Sequence, residues 1–417
     1  MFKLLLKYKI VAVFLGLGLL FIPLSLYQPA ETESMAVVTS VGLDKMGDLI
    51  EVSINAVVPN TQASGSGGVD GTVKTISATG KNVDLAFERL TIIIGKMPGL
   101  AHCDSIVLNK QLFENNVLEY LDYFTRTNNL TSNATLIVAE NSAKEILEVS
   151  AQQKGVRAVS LSDILLLNNQ YAITEQSNLD KFYLNYFSSA SVSILPVLST
   201  GDSNKADDEQ VDSNTQQKTD DEQKPEGESG SGAPTKILKN KGEAIVVKKG
   251  KFVADLKNKE MRGFNLISKN TKKGKLQVNN VTALGFNNAN LTFEVFNKKI
   301  KTSGKFVNGK PFFNFDIDLI LKLEEVGSNN LNLENMSTSK NYVDGQIKTE
   351  IDKTMQNYMA QIINYSKQNK VDILGVYDYF YKFETKKWLQ FINGLTDKND
   401  YLNHVTFTCN ISKEGKI

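Results

Sequence analysis

Residues 312–323 read Phe-Phe-Asn-Phe-Asp-Ile-Asp-Leu-Ile-Leu-Lys-Leu. In an extended chain Phe313, Phe315, Ile317, Leu319, Leu321 and Leu323 take one face, and Asn314, Asp316, Asp318 and Lys322 take the other. Period two over this length predicts a half-buried antiparallel strand. Leu291–Phe296 and Ile300–Phe306 before it are strand-like as well. Asp344–Asn369 after it carries Ile347, Ile351, Met355, Met359, Ile362 and Tyr365 at spacings of three to four, with no glycine or proline after Gly345. That is the strongest helix pattern in the chain. Asp372-Ile-Leu-Gly375 then leads into an aromatic helix, Tyr377–Phe383, continuing toward Trp388, Leu389 and Ile392, and Val405–Ile411 reads as a closing strand. Aromatics at helical spacing are core before they are a stacking platform for sugars or bases.

Upstream, Met35–Asp44 and Leu49–Val58 predict a hairpin turning at Lys45–Asp48, where Gly47 supplies positive φ. Thr61–Gly71, TQASGSGGVDG, is a loop by composition. No Gly-Lys-Ser/Thr follows it at Walker spacing, which argues against a phosphate cradle. Asn82 offers an N-cap to a helix through Val83, Ala86, Phe87, Leu90 and Ile94, ending near Gly95 and Pro98. Asp104–Asn109 predicts a buried strand, Leu112–Thr125 an amphipathic helix and Ala134–Ala139 another strand. Helices at Ser142–Lys154, Ser162–Leu167 and Leu179–Phe187 and a strand at Ala190–Leu198 complete this half. The class is mixed α/β or α+β, with helices packed on sheets.

Residues Ser199–Thr235 are rich in Asp, Glu, Gln, Ser, Gly and Lys and nearly free of apolar side chains. Such a stretch buries too little to offset its chain entropy, so it is expected to be a disordered linker or inserted loop. It contains no EF-hand spacing. Order resumes with strands at Lys241–Val247 and Phe252–Leu256 and a short helical turn at Glu260–Phe264.

At the other end, Ile10–Tyr27 is an uncharged apolar run of about 18 residues, close to the minimum that crosses a bilayer as a helix. Lys3, Lys7 and Lys9 precede it, Glu31 and Glu33 follow it, and its exit offers no A-x-A site. An uncleaved signal anchor is favoured over a cleaved signal, with the N-terminus inside and the rest of the chain outside the cytoplasmic membrane.

Composition narrows the chemistry. An apolar share of 41% and a charged share of 22% are those of a folded chain, and the 417 residues suggest two or three domains. Lys+Arg of 47 against Asp+Glu of 46 leaves no basic excess for nucleic acid. Two cysteines, Cys103 and Cys409, and two histidines, His102 and His404, supply neither a disulfide framework nor a histidine or cysteine metal set. No cofactor or metal site is expected and no catalytic residue is assigned. The best enzymatic alternative is a wall hydrolase using paired carboxylates, Asp316 and Asp318 with Glu324 and Glu325 at the strand's end. A solvated strand face carries such residues without any catalytic role.

Several stretches in order resemble one family. Ala36-Val-Val-Thr-Ser-Val-Gly-Leu-Asp-Lys45 is similar to the mature start of the Ger(x)C proteins, the C subunits of spore germinant receptors. Gly80–Phe87, Leu100–Val107, Arg126, Asn133–Glu140 and Ala143–Leu147 resemble its next elements. Gly242–Phe252, Glu260-Met-Arg-Gly263, Asp372–Gly375, Trp388 and Ile411–Ile417 resemble its later ones. The resemblance implies three α/β domains, each with its own sheet, here taken as 31–155, 156–275 (including 199–235) and 276–417 after an anchor at 1–30. It also implies a non-enzymatic subunit in the inner spore membrane, beside an A subunit and a permease-like B subunit. Whether the C subunit binds germinant directly is not implied. The family normally carries a lipidated cysteine at its mature start. This chain has none there, so the apolar run is expected to replace the lipid. The runner-up reading is a membrane-anchored, extracytoplasmic ligand-binding module.

Overall fold

A computed structural model of the chain describes residues 35–59, 71–126, 130–152, 160–170, 173–175, 177–202, 236–271, 273–283, 286–327 and 345–415. The apolar run Ile10–Tyr27, residues 61–70 of the expected loop and residues 203–235 of the expected acidic linker lie outside them; Gly71 and residues 199–202, expected in that loop and that linker, are instead in strands, because they pair with neighbouring strands. Among the described residues no helix is long and apolar enough to cross a membrane.

The first strands form the expected hairpin. β1 (Met35–Met46) pairs antiparallel with β2 (Leu49–Pro59), and Gly47 turns at φ 60°. A strand the sequence pattern did not mark, β3 (Gly71–Gly80), extends the hairpin antiparallel to β2. It is threonine-rich, with little apolar alternation, and its pairing with β2 rather than its own pattern defines it. On the opposite side, β1 runs parallel to the short β4 (Met97–Gly99) and to β5 (Ser105–Asn109), which runs parallel to β6 (Thr135–Ala139). Every residue of β5 and β6 is buried, as parallel strands covered on both faces must be.

The sheet continues without interruption through β7 (Val192–Asp202), β9 (Ala244–Lys248) and β10 (Lys251–Leu256), with β8 (Lys236–Lys239) pairing β7. Strands from both segments expected as the first and second units therefore share one ten-stranded sheet.

Helices cover both faces. Side chains of α1 (Val83–Ile94), α2 (Leu118–Arg126) and α5 (Leu179–Phe187) share a core with Ile106, Leu108, Leu136 and Val138. α3 (Ala143–Gln152) and α4 (Leu161–Gln170) pack on Val107, Ile137 and Ala139, the alternate residues of the same strands. Asn82 caps α1 as expected, its side chain accepting the Leu85 N–H. The helix anticipated at Leu112–Thr125 is split into a 3₁₀ turn, Lys110–Glu114, and α2. Asn109 and Asn116 cause the break, since their side-chain oxygens accept the N–H groups of Gln111 and Leu118.

The second sheet has the order β11 (Gly274–Ala283), β12 (Phe286–Val307), β13 (Lys310–Gly327), β14 (Thr406–Gly415). Its first three strands form an antiparallel meander, and β14 runs parallel to β13. Phe313, Phe315, Ile317, Leu319 and Leu321 are buried in β13, as the period-two pattern requires. They face α7 (Gly345–Gln368), which buries Ile347, Ile351, Met355, Met359 and Ile362. The turn expected at Glu260 is a ten-residue helix, α6 (Asn258–Ile267), in the same core. The aromatic helix is two, α8 (Val376–Phe383) and α9 (Thr385–Asn393), because Glu384 leaves helical geometry at φ −134°, ψ 38°. Trp388 is fully buried and stacked on Phe380 at 5.0 Å, so these two rings are core, whereas Tyr381 and Phe383 of the same stretch are exposed.

The two cores meet at β9. Ala244 and Val246 belong to the core of the second sheet, whereas Ile245 and Val247 belong to that of the first.

Candidate functional site

Two of the acidic residues quoted from the resemblance act as helix anchors. Asp44 is buried at the end of β1, where its carboxylate accepts the N–H groups of Ala143 (2.8 Å) and Lys144 (2.9 Å) and the Asn109 side-chain amide (2.9 Å). It fills the positive end of α3. A Cβ on Gly42 would sit 3.2 Å from that of Ala143, so the Val-Gly-Leu-Asp stretch both seats and caps the helix. Asp372 does the same for α8, accepting from the N–H groups of Val376 (3.1 Å) and Tyr377 (2.6 Å) and the Tyr401 hydroxyl (2.8 Å). Burial pushes the Asp372 carboxyl up, and burial beside Asp372 pushes the Tyr401 phenol up.

The carboxylates considered for hydrolysis lie on the wet side of the second sheet. Asp316 accepts from the side-chain amide of Asn410 (2.8 Å) across the β13–β14 ladder and from that of Asn314 (2.9 Å) on its own strand. Those bonds, Asn410 first, hold its pKa below the ordinary value. A general acid needs the opposite shift. Asp318, Glu324 and Glu325 are exposed, and Glu324 pairs with Lys275 at 3.1 Å. None of these four lines either pocket described below.

Burial pushes the Cys103 thiol up to about 12 and the Cys409 thiol up to about 11, so neither is a ready nucleophile. His102 is exposed, and His404 lies 3.9 Å from Asp400. Among the described residues no group of three or more His, Cys, Asp or Glu side chains is placed to hold a metal.

A concavity with mixed chemistry lies where α6, β12, the 372–375 turn and α8 meet. It is an open pocket of about 400 Å³ with Phe264, Ile300, Phe315 and Tyr379 as apolar walls and Asp378, Lys269 and Lys382 as charged ones. Asp378 accepts the Ala190 N–H at 3.2 Å, and Lys269 donates to Thr302 at 2.9 Å. Such a lining fits a small ligand bearing both charges. A shallower polar hollow of about 370 Å³ lies between α7 and β11, around Gln277, Asn280 and Tyr358.

Near the first pocket is a residue that the sequence did not single out. β12 is in phase with the core through Leu291, Phe293 and Val295, then a bulge between Val295 and Asn297 shifts the phase. Lys298 thereby turns inward with Ile300. Its ammonium donates to the Asn265 carbonyl and to Thr271 Oγ1 (2.6 Å). Burial lowers its pKa to about 7 against a raising influence from Glu175. Glu175, itself buried, accepts from Lys181 and Asn270, so this polar cluster joins the segment before α5 to the second sheet's surroundings. A one-residue bulge leaves little trace in sequence, and the run Asn297-Lys-Lys-Ile-Lys301 gives no sign of which lysine is buried.

Comparison with known proteins places the chain. Residues 28–200 match the family described as Spore germination protein N-terminal domain, and residues 241–415 match Spore germination B3/ GerAC like, C-terminal. The chain belongs to the GerAC-like spore germination proteins. Membership gives this GerAC-like chain a role in spore germination and bears out the resemblance read from the sequence. It is 21% identical over 389 residues to Spore germination protein KC of Bacillus subtilis (strain 168), covering 91% of this chain and 88% of that protein. The crystal structure of the GerBC protein covers 90% of this chain and 97% of its own, at 16% identity and a TM-score of 0.49. The two matched regions of the GerAC-like chain join through β7, which belongs to the first, and β9, which belongs to the second; these strands pair antiparallel from Val192↔Lys248 to Pro196↔Ala244.

Proposed function

We propose that the chain is the non-enzymatic C subunit of a nutrient germinant receptor, working through contacts with an A subunit and a B subunit. In this reading Ile10–Tyr27 holds it as a single-pass protein in the inner spore membrane, with residues 31–155 and 156–275, which share one sheet, and residues 276–417 on the outer face. The observation that carries the reading is the ordered match of both family regions over nearly the whole chain after residue 27.

Deleting the gene in the spore-former that carries it should abolish or alter the response to at least one nutrient, scored by loss of refractility. Unchanged germination with every nutrient tested refutes the proposal. A second reading, a ligand-binding module, is favoured by the pocket around Asp378 and Lys382. Calorimetric titration of the full chain with small zwitterions tests it, and substitution of Asp378 by Ala should remove any heat that is specific to that site.

A further inference from the structure

The C-terminal end of α1 and the strand after it expose apolar side chains that no described element covers. Ile92 is 75% exposed, Ile93 60% and Met97 61%. Gly95, in the left-handed region at φ 69°, ends the helix and turns the chain directly into β4, so the three side chains lie within one tight reversal. Lys96, between the glycine and Met97, is exposed as well. The acidic residues of this helix, Asp84 and Glu88, are in its first two turns, away from this tip.

The patch has a definite position relative to the rest of the chain. β4 pairs parallel with the very start of β1, Met35 opposite Met97 and Val37 opposite Gly99. Neighbouring strands are about 4.8 Å apart. The patch therefore stands beside the point where the preceding segment enters the fold. Between Tyr27, the last residue of the apolar run, and Met35 the chain can span at most about 28 Å, at ~3.5 Å per residue. Val37 is exposed on the same stretch of β1.

We propose that this tip, Ile92, Ile93 and Met97 with Lys96 beside them, rests in the outer face of the phospholipid bilayer. The inference rests on the proposed anchoring by Ile10–Tyr27 and adds a second contact that fixes how the ectodomain stands on the membrane. Apolar side chains seat at the headgroup and acyl boundary, and a flanking lysine meets lipid phosphate. One anchor leaves the ectodomain free to swivel. Two contacts separated by a short connection hold the first sheet in a set orientation, and with it the surface available to other subunits.

The test uses the full chain reconstituted in phosphatidylethanolamine and phosphatidylglycerol vesicles. Met97→Cys carries an environment-sensitive fluorophore in a Cys409→Ser background, Cys103 being buried with its thiol pushed up to about 12. Met46→Cys is the control: it is 53% exposed at the other end of β1. Lipids spin-labelled near the headgroup should quench on the order of half the emission at position 97 and almost none at 46, given an insertion depth of 5–10 Å. If the chain sediments with vesicles but position 97 is quenched no more than position 46, the inference falls and the anchoring stands. If the chain does not sediment with vesicles, the anchoring fails and the inference fails with it. If position 97 is unquenched in lipid alone yet shielded in native spore membranes, a protein covers the patch and the lipid assignment is overturned.

Discussion

Substituting Lys298 by Met removes an ammonium that the fold holds largely out of water. The sign of its effect follows from its pKa, lowered by burial from 10.5 to about 7. Between those values the unfolded chain keeps the proton and the folded chain has released it, so the wild type gains stability as pH rises through this window and shows no Lys298 dependence below it. One proton corresponds to about 1.4 kcal/mol per pH unit, or about 2.5 kcal/mol between pH 7.5 and 9.5. Allowing for the part of the side chain that still meets solvent reduces the expected gain to about 2 kcal/mol. The variant removes two hydrogen bonds, but Thr271 Oγ1 still donates to the Asn265 carbonyl, so neither group is left unpaired and the pH-independent cost is about 1 kcal/mol.

Urea unfolding followed by Trp388 fluorescence reads the correct region, because Trp388 is the only tryptophan and is buried in the core of the second sheet. The difference in stability between wild type and Lys298→Met should change by about 2 kcal/mol over that pH range, moving in favour of the wild type at the alkaline end. A difference that stays constant to within about 0.5 kcal/mol would show that Lys298 keeps its proton in the folded chain, and would refute the buried assignment.

Replacing Asp44 by Ala strips the carboxylate from the N-terminus of α3 and should cost about 2 kcal/mol, seen as accelerated hydrogen exchange in residues 143–152 before the rest of the first sheet. In Gly304→Ala the new Cβ would lie 2.7 Å from Tyr379 Cε1 and 2.8 Å from Phe380 Cζ, so a loss of roughly 1–3 kcal/mol is expected in thermal unfolding; an unchanged melting temperature would mean that α8 sits farther from β12. Asp316→Asn together with Asp318→Asn should leave the nutrient response of spores intact and stability within about 0.5 kcal/mol, whereas loss of germination with normal protein levels would reopen the carboxylate reading.

The parts of the fold that were legible are those in which a side chain's partner lies nearby in sequence or its pattern repeats. β13 declared its buried face through alternation, α1 its start through Asn82, and the first hairpin its turn through Gly47. β3 was hidden because Thr75, Ser77 and Thr79 fill one face and only Ile76 and Ala78 are apolar on the other, too few to mark an alternation. The splits at Asn116 and Glu384 were missed because each needs a competing hydrogen bond or a tertiary contact to stop a sequence that favours helix. The continuity of the first sheet past β6 was also out of reach, since β7 meets β6 through only two register pairs and meets β9 from beyond the acidic stretch. As for function, order along the chain carried the family, whereas the Lys298 cluster and the pocket around Asp378 depend on a bulge and on helices brought together from separate segments.

The β7–β8 ladder changes what the acidic stretch between them can be. Asp202 stands opposite Lys236, so the two ends of the stretch 203–235 are neighbours in one ladder. The distance between β7 and β9 therefore owes nothing to the number of residues between Asp202 and Lys236. Doubling such a loop adds only about 0.6 kcal/mol of closure entropy. Evolution can therefore lengthen, shorten or rewrite this stretch at almost no cost to the sheet. A chain severed within it would separate into two fragments still laced together by β7 and β9, a natural place to split the molecule and ask whether its halves find each other again.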